Sequence, residues 1–410
     1  MRYKTLCFCI GLVLISCGAK QANPAPAPKS HPDSTAIRNP RMSTEEFDRI
    51  YALSDNFYNK PLLISGFNGA FLVAKYDSIV YEKYHGYENF HDKSPINEHS
   101  AFHLASVSKT FTAMAVLKLM EEGKINLDSN VTHYIPTFPY PGITVKMLLD
   151  HRSGLPNYLN FMTMPLNKRG FRIPWDNKQF LTNDSLLSIL IRYHPPVSSK
   201  PGTRFHYCNT NYAMLALVVE SVTGQPFPQY IKQTIFDPLG MKDTYIFSPD
   251  RAATAMLSYH RYRRGIAPFP WTPLDGVYGD KNVYCTARDL LIWDKALRHD
   301  FLTKATLEMA YSPYSFEKPG IRNYGLGWHM FLYPTEKVIF HNGYWHGNNT
   351  VFFRLLKEGY TIIVLGNVYN KNIYRVQPLA EALTGRKFGA KGPPEPDQTD
   401  QDDPDSGGAQ

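Results

Sequence analysis

Ser106 and Lys109, in Ala105-Ser106-Val107-Ser108-Lys109-Thr110, are residues whose types and spacing could do chemistry. A helical pattern begins directly behind them, and on a helix residues three apart share a face. The Lys109 ammonium then lies beside the Ser106 hydroxyl, a weak nucleophile until a neighbour takes or steers its proton. The start of a helix adds unpaired N–H groups and a positive dipole end close to the reacting oxygen. Two further short motifs follow: Tyr207-Cys208-Asn209, and His341-Asn342-Gly343 with Tyr344 behind it. Taken singly, these residues have ordinary structural roles. Tyr207 reads as a packed aromatic with a bonded hydroxyl, Asn209 as a turn or cap residue, His341 as a strand-end histidine, and Gly343 as a bulge or close backbone approach.

The elements that must position them follow from pattern. Ser43 with Glu46 three residues on makes a capping box for a first helix over 43–58. Two strand-like runs, 70–76 and 78–84, flank Asp77 and form a hairpin. Met114, Leu117 and Met120 recur at helical spacing over 106–122, and Gly123 stops that helix. Further helices are expected at 186–191, 212–222 and 288–297. Strands are expected at 337–340, 350–356 and 360–365, with Lys357-Glu358-Gly359 as a turn, and a last helix at 376–383. Strands thus lie near both ends and helices fill the middle. One sheet assembled from both chain ends, with a mostly helical region inserted, accounts for this order. It sets the middle motifs at a seam, where ligand sites occur.

The termini read differently. Arg2 and Lys4 precede an apolar run over 6–15 that is too short for a membrane span and fits a signal peptide. Leu14-Ile15-Ser16-Cys17 resembles a bacterial lipobox, which implies a lipid on Cys17 and an envelope location outside the cytoplasm, with Gly18 favouring the outer membrane. The organisation expected is a signal over 1–16, a Pro- and Ala-rich tether over 17–42, a catalytic domain over 43–386 and a disordered acidic tail over 387–410. The whole chain has a net charge of +8, and it is more positive without its acidic tail. It suits an anionic envelope surface or substrate. No Lys/Arg-rich run with interleaved aromatics occurs, which argues against a nucleic-acid partner. Cys7 and Cys9 fall in the signal, leaving Cys208 and Cys285, whose pairing the sequence leaves open. No Cys/His spacing suits zinc, and no cofactor is expected.

Ser-x-x-Lys, Tyr-x-Asn and His-x-Gly in this order resemble the serine β-lactamase and penicillin-binding-protein superfamily, and within it the class C branch with its esterase and D-peptidase relatives. Leu148-Leu149-Asp150-His151-Arg152-Ser153-Gly154-Leu155-Pro156, Cys285-Thr286-Ala287-Arg288-Asp289-Leu290 and Tyr324-Gly325-Leu326-Gly327-Trp328 are similar to that branch as well. The resemblance spans roughly 45–385. It implies a β-lactamase/transpeptidase-like α/β fold and a serine hydrolase working through an acyl-enzyme. Ser106 would be the nucleophile, Lys109 its activator, and Tyr207 the general base and later acid. Asn209 would bond substrate amide or Lys109. His341, Asn342, Gly343 and Tyr344 would border the substrate, with the N–H groups of Ser106 and Tyr344 as oxyanion hole. Tyrosine, with a reference pKa of about 10, becomes a usable base only beside a cation. His341 stands where many relatives have lysine and is only conditionally charged. This shifts the expected substrate from penicillins, whose carboxylate suits lysine, toward esters or D-amino-acid peptides. A true β-lactamase and a catalytically silent sensor or envelope-binding protein are the alternatives. The partners implied are a small-molecule or peptide substrate and, through the lipid, the membrane.

Overall fold

The computed structural model describes residues 41–388 apart from 166–169, 171, 177, 264, 318 and 335. The signal segment, Cys17, the tether as far as residue 40 and the tail from 389 lie outside the described residues. Seven strands form one antiparallel sheet: β1 Gly69–Lys75, β2 Ser78–His85, β3 Arg322–Tyr324, β4 His329–Leu332, β5 Lys337–Trp345, β6 Asn348–Leu355 and β7 Tyr360–Gly366. Their order is β3-β4-β5-β6-β7-β1-β2. β1 therefore pairs with β7, Ala70 opposite Leu365 and Leu72 opposite Ile363, and joins the two ends of the chain in one sheet. Tyr76 and Asp77 both take positive φ, the geometry of a tight hairpin turn, between β1 and β2.

Strands β1, β6 and β7 are buried along their whole length. Their apolar residues alternate between two cores, as a pleated strand requires. Leu72, Ala74, Phe352 and Ile363 pack into the helical region, and Phe71, Val73, Phe353 and Ile362 into the opposite face. The helices used below are α1 Thr44–Phe57, α2 Ser108–Glu121, α3 Asn183–Tyr193, α4 Asn209–Thr223, α5 Ala287–Arg298 and α6 Gln377–Thr384. α1 and α6 cover the second face with Ile50, Phe57, Leu379 and Leu383. Ser43 caps α1 by accepting from Glu46 N–H at 3.2 Å. The reciprocal half of the expected capping box is absent, because the Glu46 carboxylate pairs with Lys75 of β1 and ties helix to sheet. α2 is buried from Ser108 through Leu117 and α4 from Asn209 through Val219. Helices apolar on every side lie inside a domain.

Two features go beyond the sequence expectations. The strand expected to end at Phe340 runs on to Trp345, because the ladder to β6 continues through His341, Asn342 and Gly343. β3 and β4 extend that edge, each too short to show an alternating pattern.

α5 is fixed to the sheet by a buried ion pair. Arg354 of β6 and Asp294 of α5 are both fully buried and bond Nε to Oδ1. The other carboxylate oxygen accepts from Arg298 Nε at 2.8 Å and from the Thr361 hydroxyl of β7. Removing one partner of such a pair leaves an uncompensated buried charge. We expect Asp294→Ala to lose about 3–5 kcal/mol of unfolding free energy in urea. A loss near that of an ordinary surface substitution would show that the pair does not hold α5.

Candidate active site

The turn that carries Ser106 is fixed from both sides before α2 begins. Phe102 and His103 pair with Cys285 and Tyr284 in a small separate sheet. Leu104 N–H donates to Val283 O at 2.8 Å, and Leu104 O accepts from the Thr350 hydroxyl of β6 at 2.8 Å. Ala105 then takes φ +49°, a conformation costly for a residue with a Cβ and kept only where its surroundings over-determine it. Its N–H donates to His103 Nδ1 at 3.0 Å. A 3₁₀ turn, Ala105–Val107, leads into α2. Gly343 of β5 lies directly on this turn. A Cβ there would come within 2.3 Å of Leu104 O and 2.4 Å of Thr350 Oγ1, so only glycine lets β5 approach so closely.

Ser106 is 7% exposed and Lys109 not at all. The Lys109 ammonium donates to Ser106 Oγ at 3.0 Å, to Asn209 Oδ1 at 2.7 Å and to the main-chain carbonyl of Asp280 at 2.9 Å. Asn209 is the first residue of α4, so the start of one buried helix holds the lysine of the other. The Lys109 Nζ stands 4.9 Å from the centre of the Tyr207 ring, itself buried. Four residues predicted from the sequence, Ser106, Lys109, Tyr207 and Asn209, thus meet at one ammonium. Gly327 lets a further segment close on α2, since a Cβ there would lie 2.3 Å from Ala113 Cβ.

The third motif lies on β5. His341 is fully buried, its Nδ1 2.7 Å from Asn342 O and its Nε2 3.4 Å from the Tyr324 hydroxyl. Burial, then His329 and Lys109, push it well below the usual histidine value, so it is neutral at pH 7. The rings of Tyr324 and His329 each contact both Tyr207 and His341. Gly343 faces the nucleophile turn, and strand alternation sends the side chains of Asn342 and Tyr344 to the other face. There the Tyr344 ring packs edge-on against Tyr369. What Asn342 and Tyr344 present toward Ser106 is main chain.

Sequence reasoning missed Thr350 and Asp280, which serve through main-chain contacts far apart in the chain, and His103, which bonds Ala105 N–H two residues on and Asn282 across the fold. It quoted the segments holding His151 and Tyr324 without giving either residue a role. Tyr158 is buried, donating to Asp280 Oδ2 at 2.8 Å. Cys208 and Cys285 are free buried thiols. Cys208 packs as a small residue with Sγ 3.4 Å from Leu155 O, and burial pushes its thiol up to about 11.

Known proteins of similar sequence and fold were found. The family profile described as Beta-lactamase matches residues 64–384. Penicillin-binding protein 4* of Bacillus subtilis (strain 168) is 31% identical over 342 residues, which is 79% of this chain and 73% of that protein. Among solved structures, a penicillin-binding protein from Bacillus halodurans superposes with TM-score 0.68 at 26% identity, over 79% of this chain and 98% of that one. The D-amino acid amidase from Ochrobactrum anthropi SV3 shares the fold, with TM-score 0.64 at 21% identity, over 83% of this chain and 98% of that one.

His103 carries the prediction that follows from the nucleophile turn. Its Nδ1 accepts Ala105 N–H and its Nε2 lies 3.0 Å from Asn282 Oδ1, so the neutral ring is fully used. Burial pushes it from 6.5 down to about 4. Between those values the unfolded chain takes up a proton and the folded chain does not. The stabilising contribution is therefore complete above the unfolded value and lost as pH falls toward the folded one, about 3 kcal/mol in all. Urea unfolding across that range should show wild type losing about 3 kcal/mol relative to His103→Gln. A gap that stays constant with pH would refute the assignment.

Proposed function

The chain belongs to the beta-lactamase family and is a serine hydrolase of it; we propose that it forms an acyl-enzyme on Ser106 and hydrolyses uncharged esters or amides, of the esterase or D-amino-acid peptidase type within the class C branch. The observation that carries this reading is the Lys109 ammonium, held 3.0 Å from Ser106 Oγ by two acceptors that fix it there.

The chemistry follows from that position. Ser106 Oγ attacks the substrate carbonyl, and its proton passes to Tyr207, whose phenolate form the neighbouring ammonium favours. The N–H groups of Ser106 and Tyr344 stabilise the tetrahedral oxyanion. Tyr207 returns the proton to the departing alcohol or amine, and the C–O or C–N bond breaks. Water, deprotonated by Tyr207, then attacks the ester carbonyl of the acyl-enzyme; Tyr207 returns that proton to Ser106 Oγ as the acyl C–O bond breaks and the acid leaves. Lys109 stays charged throughout, so no step removes the cation from the buried site.

Substrate class is argued from His341. A buried neutral imidazole that bonds its own strand and Tyr324 offers no fixed charge to a carboxylate. A carboxylate brought there would be desolvated without a partner. The relative named as a penicillin-binding protein supports β-lactam recognition as the second reading, with penicillin acylating Ser106 more slowly than an ester does. The same proposal puts the protein at the cell envelope, anchored by a lipid on Cys17.

Protein starting after Cys17 should release p-nitrophenolate from a short-chain p-nitrophenyl ester, and Ser106→Ala should lose about 1000-fold or more in kcat. An ester carrying a carboxylate on its leaving alcohol should show kcat/KM lower by about tenfold or more than its uncharged counterpart. Ser106-independent turnover would overturn the nucleophile. Equal rates on charged and uncharged esters would overturn the substrate class.

A further inference from the structure

His151 brackets Tyr207 along the chain and lies against its ring. It follows the short helix Val145–Leu149 and adopts φ +57°, a left-handed conformation that a side-chain-bearing residue keeps only when held. Its carbonyl accepts His206 N–H at 2.8 Å. Its Nδ1 accepts Cys208 N–H at 3.2 Å and lies 3.1 Å from Asn211 Nδ2. The main chain before and after Tyr207 is thereby tied to one residue. Between these ties the Tyr207 ring packs on the imidazole, centroids 4.3 Å apart and planes at 38°. Tyr212 and Tyr324 close round the same ring at 5.1 and 4.8 Å.

The ties fix the protonation state. Asn211 Oδ1 accepts from the Ser153 hydroxyl at 2.6 Å, which orients its amide nitrogen toward His151. Two donors thus point at Nδ1, which must be the acceptor, and the ring proton sits on Nε2. Complete burial, then the Lys109 ammonium, hold the ring neutral. A protonated ring would present N–H to two N–H groups and release both.

We infer that His151 is a positioning residue: its neutral imidazole sets the depth and tilt of the Tyr207 ring over Lys109, and so the reach of the phenol oxygen to Ser106. This rests on the reading of Tyr207 as the base. Proton transfer needs hydrogen-bond reach, and a displacement of about 1 Å costs about 100-fold. His151 acts through Tyr207 and has no role on substrate, so its loss appears in kcat and not in KM.

The experiment is a cycle on p-nitrophenyl ester turnover, with thermal unfolding to verify folding, using His151→Leu, His151→Asn, His151→Gln, Tyr207→Phe and the double variant His151→Leu/Tyr207→Phe. His151→Leu should lose about 30- to 100-fold in kcat with KM within about threefold. His151→Asn sets Oδ1 where Nδ1 stood, keeps the acceptor for Cys208 N–H, and should recover to within about fivefold of wild type. His151→Gln sets its amide at the Nε2 position and should remain impaired. In the Tyr207→Phe background His151→Leu should change kcat by less than about twofold, because the group it positions is gone. Equal losses in both backgrounds, or Asn no better than Gln, would overturn the positioning role. Should His151→Leu not fold, the order of Asn above Gln alone decides between the same outcomes. Tyr207→Phe turning over like wild type would instead sink the base assignment on which the inference rests.

Discussion

An ammonium with no exposure to solvent is the constraint on which the rest of this structure depends. A charge taken out of water without partners costs far more than a folded domain has to spare. Lys109 is tolerable only because three acceptors converge on it, from the turn preceding α2, from the first residue of α4, and from the carbonyl of Asp280. These segments are separated by up to 171 residues in the chain. The helical region must therefore close correctly around Lys109 before the site exists at all. Asp280 is held in turn by the Tyr158 hydroxyl on its carboxylate. The buried cation and the packing of the inserted region are one problem with one solution.

The sheet sets the other half of the geometry. β1 from one end of the chain and β7 from the other complete the central pairing, and β6 and β5 follow in order. This brings Thr350 and Gly343, register partners across β5 and β6, against Leu104 and Ala105. The left-handed Ala105 is held by that closure through the long-range bonds of Leu104 and Thr350, together with the local bond from Ala105 N–H to His103. Strain at the residue before the nucleophile is thus stored in long-range contacts. A loosened β5–β6 hairpin would relax it and move Ser106.

The sequence made legible whatever is encoded locally. Ser106 and Lys109 lie three apart on one helix face, and the buried strand Phe71-Leu72-Val73-Ala74 shows its character in four residues. Tyr207 and Asn209 could be read because motif order supplied the context that their own neighbours did not. The assembly of one sheet from both chain ends, with helices between, followed from where strand-like and helix-like runs fall; the two short edge strands did not. His103, Asp280 and Thr350 left no trace, because each makes a contact with a residue brought near only by tertiary folding. His341 was legible as a histidine of variable charge, but its burial was not. That depends on Tyr324 and His329, which sit on β3 and β4, strands too short for periodicity to reveal. The two remaining cysteines were ambiguous for the same reason: each packs beside a different element, Cys208 near Leu155 and Cys285 near Thr244.

Buried neutral histidines give the site its electrostatic character. His103, His151 and His341 are all driven below the ordinary histidine range by burial first, and Lys109 adds to that for the latter two. One permanent ammonium beside Ser106 thus suppresses further positive charge around it. The field it creates falls on Ser106 Oγ and on the Tyr207 ring. It is not repeated at His341, whose burial leaves it neutral. On the proposed reading, activation of Ser106 and preference for uncharged substrates are two consequences of one arrangement: a buried cation and imidazoles too dry to join it.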